Sequence, residues 1–101
     1  MGATTFMETA KKKDFKTAKD AFEHLVEDAA YMYGHDAYSG TIATKTEFVK
    51  SKHPHNCKTI KETLDLAEEL LDTKYQNLSK WDSAVMLECE EGWVFFGWAP
   101  E

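Results

Sequence analysis

Ala18, Ala21, Phe22, Leu25, Val26, Ala29, Ala30 and Tyr33 recur three or four positions apart, while Glu23, Glu27 and Asp28 fall between them. That is the period of an α-helix with a single apolar stripe. Thr17 with Asp20 three residues later resembles a capping box in which Asp replaces Glu, and Gly34 stands where a left-handed residue ends a helix. His24 falls on the flank and reads as a surface residue. A second helix is expected from Thr59, where Glu62 completes a Thr-x-x-Glu box. Ile60, Leu64, Ala67, Leu70 and Leu71 form its stripe, and Asp65, Glu68, Glu69 and Asp72 its acidic outer face.

The remaining pattern has a period of two. Residues 3 to 9 alternate loosely and are rich in threonine, as in a first strand, and Lys11-Lys12-Lys13 then makes a solvated turn. From Gly40 to Lys50, Ile42, Thr44, Thr46 and Phe48 alternate with Thr41, Ala43, Lys45 and Glu47, which predicts a second strand with one half-exposed face. Residues 51 to 58 form a polar loop around Pro54. Ala84 to Cys89 and Trp93 to Trp98 flank Glu90-Glu91-Gly92, a hairpin whose glycine would supply a positive φ. Val94, Phe96 and Trp98 alternate there with Trp93, Phe95 and Gly97. The last strand is therefore covered on both faces, or one face is a binding surface.

The order β-α-β-α-β-β predicts one α+β domain over residues 1–101, a four-stranded mixed sheet with both helices packed on one face. If the first two strands are parallel neighbours, the first helix is a right-handed crossover.

Composition narrows the partners. The chain has 101 residues, 18 of them acidic against 12 basic, for a formal charge of −6, and every basic residue is lysine. Arginine supplies the planar fork for phosphates and guanine edges, so its absence disfavours direct nucleic-acid binding. An acidic surface fits a basic partner or simply maintains solubility. Two cysteines make no disulfide framework, and neither a secretory segment nor an apolar run long enough for a bilayer is present. A cytoplasmic protein with no membrane contact is the expectation.

Candidate chemistry concentrates between Tyr31 and Ile42, a connection that crowds three tyrosines, a histidine and several hydroxyls around two glycines. Aromatic bodies with polar tips suit half-buried, half-wet sites. His35, Asp36, Tyr38, Ser39 and Thr41 could furnish a base, an acid and a nucleophile, but Ser39 lacks a Gly-x-Ser-x-Gly elbow and adjacency is not triad geometry. Backbone amides near Gly40 and Thr41 could cradle an anion. No Walker-type or Gly-x-Gly-x-x-Gly motif accompanies them. His53, His55 and Cys57 are suitable ligand types for zinc, nickel or copper, yet the paired spacings of a structural zinc site are missing, so no metal or other cofactor is assigned.

Four segments, Ala3-Thr4-Thr5-Phe6, Tyr31-Met32-Tyr33-Gly34-His35, Tyr38-Ser39-Gly40-Thr41-Ile42 and Val94-Phe95-Phe96-Gly97-Trp98-Ala99, together resemble a group of small uncharacterised proteins encoded by bacteriophages and prophages. The likeness covers most of the domain and leaves out the 53–57 loop. Small acidic phage proteins of this size include anti-CRISPR and other anti-defence inhibitors. The resemblance thus implies a non-enzymatic binding module that acts in the host cytoplasm on a host protein, such as a nucleic-acid-binding effector. The expected partner-binding residues are Tyr33, His35, Asp36, Tyr38 and Ser39 with Glu68, Glu69 and Asp72. The alternatives are a nucleotide-like small-molecule binder using the Tyr31–Ile42 loop, and a homodimer formed by edge pairing of the Trp93–Trp98 strand.

Overall fold

The computed structural model describes residues 2–34 and 39–101. Its elements run β1 (Ala3–Lys11), α1 (Ala18–Tyr33), a short 3₁₀ helix (Ile42–Thr44), β2 (Phe48–Lys50), α2 (Ile60–Asp72), β3 (Ala84–Glu88) and β4 (Gly92–Pro100). This is an α+β architecture in the predicted element order, with one four-stranded sheet ordered β1-β4-β3-β2. β4 pairs antiparallel with β1 and with β3, while β2 runs parallel to β3, so the sheet is mixed. β1 and β2 are not neighbours; they form opposite edges. The connection between adjacent parallel strands is made by α2 rather than by α1.

Both helix starts follow from their capping residues. Thr17 accepts from the Asp20 N–H at 3.1 Å. Thr59 accepts from Glu62 N–H, and the Glu62 carboxylate accepts in return from Thr59 N–H, both at 3.2 Å. α1 ends at Gly34, whose φ of 91° suits a residue without Cβ and whose N–H donates to Ala30 O at 2.8 Å.

The two helices lie on opposite faces of the sheet, which corrects the expectation that both share one. Phe22 of α1 packs with Phe6, Ala10, Met86, Trp93 and Phe95. Ala67, Leu70 and Leu71 of α2 pack with Val85, Leu87, Val94 and Phe96. The period-two alternation of β4 sends odd and even residues to different layers, so the aromatics on both sides of the last strand are core. Phe22, Phe48 and Phe95 form a ring cluster with centroids 5.0 to 5.5 Å apart. On the other face Tyr75 meets Phe96 edge-on at 5.6 Å and accepts from Trp98 Nε1 through its carbonyl at 3.1 Å.

Residues 40–50 do not form the long strand that their alternation predicts. Thr41 accepts from Ala43 N–H at 3.2 Å and starts the 3₁₀ turn instead. Lys45, expected on the half-exposed face, is only 5% exposed. Its Nζ donates to the carbonyls of Lys80 at 2.7 Å and Asp82 at 2.6 Å, tying this segment to the loop before β3. Only Phe48–Lys50 remains as strand.

The hairpin between β3 and β4 forms as predicted, but for a different reason. Gly92 has no positive φ. A Cβ at that position would lie 2.0 Å from the Ala10 carbonyl oxygen. The glycine permits close approach of β1, not a left-handed turn.

Candidate binding surface

The last turn of α1 leaves the sheet behind. Ala29 and Ala30 are buried, whereas Tyr31, Met32 and Tyr33 are 91, 71 and 65% exposed. The apolar stripe therefore stops at Ala30, and Tyr33, counted in that stripe from its spacing, belongs to the surface. Three consecutive large side chains cannot all share one helix face, so a patch spreads around the helix end. Tyr33 and Met32 also wall a small cleft of about 200 Å³ between α1 and β1, completed by Leu25, Ala29, Asp28 and Glu8.

Glu8, itself exposed, lies at the edge of this cleft. Partial burial there pushes its carboxyl pKa above 4.5. A carboxyl with a raised folded-state pKa favours folding at low pH, and that contribution is lost as pH rises from 4.5 through the folded value. Glu8→Gln is thus expected to melt slightly higher than the parent at neutral pH, with the gap closing below pH 4.5. Thermal melts across that range provide the check, and a gap that widens on acidification contradicts the assignment.

His35, Asp36 and Tyr38 lie outside the described residues. Beyond them, Ser39 Oγ and Thr41 Oγ1 hydrogen-bond to each other at 3.0 Å. Gly40 N–H donates to Pro100 O at 2.8 Å. The amide expected to help cradle an anion is therefore occupied, and the Ser39 and Thr41 hydroxyls hold the turn together.

Glu68, Glu69 and Asp72 are exposed on the outer side of α2, as their spacing predicts. They sit in the layer opposite α1, so the structure does not join them to Tyr33 and Ser39 in one face.

A second, polar cleft of about 490 Å³ opens at the far end of the sheet, among Lys12, Lys50, His53, His55, Cys57, Glu88 and Cys89. Glu88 bonds Lys12 at 2.8 Å and faces Lys50 at 3.7 Å. The Lys12 hydrogen bond is the main cause that lowers its carboxyl pKa. That favours folding above 4.5 and is lost as pH falls through the depressed value. His55 Nδ1 accepts from Cys57 N–H at 3.2 Å. Burial, with the Glu62 charge second, pushes the Cys57 thiol pKa upward, the reverse of what activates a nucleophile. Among the described residues no three His, Cys, Asp or Glu side chains stand close enough to hold a metal ion. No described helix is long and apolar enough to cross a membrane.

Sequence reasoning missed Lys45 and left Tyr31 and Met32 out of the expected partner-binding residues. Their exposure was signalled by their places at the helix end, next to a stripe that Ala29 and Ala30 had already completed. Comparison with protein-family models, with curated proteins and with solved structures gives no match for this chain.

Proposed function

We propose that the protein is a small acidic, non-enzymatic binding module that occupies the surface of a host protein and thereby inhibits it, in the manner of an anti-CRISPR or another anti-defence inhibitor. One observation carries the binding role: Tyr31, Met32 and Tyr33 stand together in solvent at the end of an otherwise well-packed helix. Large apolar side chains clustered in solvent at one end of a small domain point to an interaction site, and tyrosines are frequent energetic anchors of interfaces. The host target and the phage origin rest on the resemblance of the segments around Thr4, Tyr33, Gly40 and Phe96.

The charge of −6 favours a basic target, such as the nucleic-acid groove of an effector. Glu68, Glu69 and Asp72, across the sheet from the aromatic end, serve this reading by steering encounter at a distance rather than by direct contact. The nucleotide-binding alternative gains no particular support, because the Gly40 amide and the neighbouring hydroxyls bond within the protein.

Affinity capture from bacterial lysate, followed by binding kinetics on the purified target, tests the proposal. Tyr33→Ala should speed dissociation by roughly thirtyfold, the equivalent of about 2 kcal/mol for an anchor residue. Added salt should slow association. A target bound equally well by Tyr33→Ala and at high salt would overturn this reading.

A further inference from the structure

β1 is an edge strand of nine residues with no proline, glycine or bulge. Among the described residues no strand pairs with its outer side, whereas the opposite edge, β2, is protected by being only three residues long. A long, regular edge is a template for another strand, and proteins that stay monomeric blunt such edges.

The bonding pattern of β1 shows which groups are on offer. Lys12 N–H donates to Glu91 O at 3.0 Å, and Glu101 N–H donates to Gly2 O at 3.2 Å. Both bonds continue the β1–β4 register, in which Lys11 faces Gly92 and Ala3 faces Pro100. Residues alternate in an antiparallel ladder, so even-numbered residues turn their backbone groups to β4. Ala3, Thr5, Met7 and Thr9 turn theirs outward, as does the Lys11 N–H, while the Lys11 carbonyl accepts from Asp14 N–H at 3.0 Å.

We propose that this edge pairs antiparallel with β1 of a second copy, about a two-fold axis through Met7, to give a continuous eight-stranded sheet. The occupant follows from the self-complementary order of the strand, which an isologous contact requires. With the axis at Met7, the two Met7 side chains meet, Thr5 faces Thr9 of the other copy, and Ala3 faces Lys11. On the α1 side, Phe6 faces Glu8 and Thr4 faces Ala10. No like charges stand face to face; the two Glu8 side chains lie on a diagonal. Threonine pairs directly opposite each other are favourable in antiparallel sheets. Moving the axis to Thr5 or Thr9 leaves only five residues of the strand paired. Charge agrees with the same axis: the Lys11–Lys13 corner of one copy arrives beside Gly2 of the other, against which the Glu101 carboxylate lies. Met7, 37% exposed on the face away from α1, becomes the centre of the contact. The inference does not depend on the inhibitor reading, since it needs no other protein.

Sedimentation equilibrium of the full chain over a hundredfold range of concentration tests it. The mass should climb from 11.5 kDa toward twice that value. Thr5→Pro removes an outward N–H, and Met7→Lys sets two ammonium groups on the axis. Neither residue bonds β4 through its N–H, so each variant should keep the parent's circular dichroism while the dimer dissociation constant rises at least about tenfold. Val49→Lys on the β2 edge should leave the dimer intact. Hydrogen exchange on the parent provides a readout that needs no variant: the Thr5, Met7 and Thr9 amides should gain protection as concentration rises. A parent that remains monomeric, a dimer untouched by both folded variants, or outward amides that exchange freely in the dimer would overturn the proposal.

Discussion

Phe95→Ala is expected to lower the unfolding free energy by about 3–5 kcal/mol, the range for removing a buried aromatic from a core. Phe95 has no solvent exposure, and its ring touches both Phe22 of α1 and Phe48 of β2. The loss combines transfer of the ring from the core with a cavity that the central strand cannot close by moving. β4 is held by ladders on both sides, so the neighbouring rings have little room to collapse inward. Because small domains have only about 5–15 kcal/mol of stability in total, this one change removes a large share. Urea unfolding measures it as a lower midpoint at unchanged slope. A loss below about 1 kcal/mol would mean that the ring cluster is not the core of this face.

Lys45→Met should cost about 2–3 kcal/mol, for a polar reason. The ammonium is the donor to two carbonyls, Lys80 O and Asp82 O, and lies almost wholly out of solvent. Methionine fills the space of the aliphatic stem but leaves both oxygens without that donor. The desolvation of a charge is avoided at the same time, and this holds the loss below the sum of two charged hydrogen bonds. Burial lowers the pKa of Lys45, and the Asp82 charge pulls it back in part. The folded state therefore binds this proton less tightly than the unfolded chain, a penalty that fades as pH rises through the lowered value toward 10.5. Hydrogen exchange should locate the damage in residues 79–83, with the helices little affected. Undiminished stability of Lys45→Met would show that the clamp contributes nothing.

These two residues also mark what the sequence could and could not tell. The aromatic alternation of residues 93–98 pointed to a strand covered on both faces, and Phe95 and Phe96 are both fully buried in different layers. A strand covered on both faces needs a layer against each, and here α1 supplies one and α2 the other. Helix limits were legible because capping is local chemistry, carried by Thr17, Gly34, Thr59 and Glu62. Strand two was not. Ile42, Thr44, Thr46 and Phe48 alternate as a strand would, but a side-chain bond from Thr41 and a lysine drawn inward by distant carbonyls decide the conformation. Neither the Lys80 nor the Asp82 carbonyl can be anticipated from the residues around Lys45. The candidate surface was half legible: the aromatic crowding at Tyr31–Tyr33 is visible in the chain, but its separation from Glu68, Glu69 and Asp72 by the whole thickness of the sheet depends on tertiary placement.

The strand order has a consequence for how this molecule comes into being. Among the described residues β4 is the one strand that pairs with β1, joining Ala3 to Pro100 over a long separation in sequence. During synthesis β1 must wait for its partner until Gly92–Pro100 has left the ribosome. Such distant pairings form late because a long loop must close before they contribute anything. Helical hairpins can organise while they are still being made; this sheet cannot be completed until its middle strand arrives last.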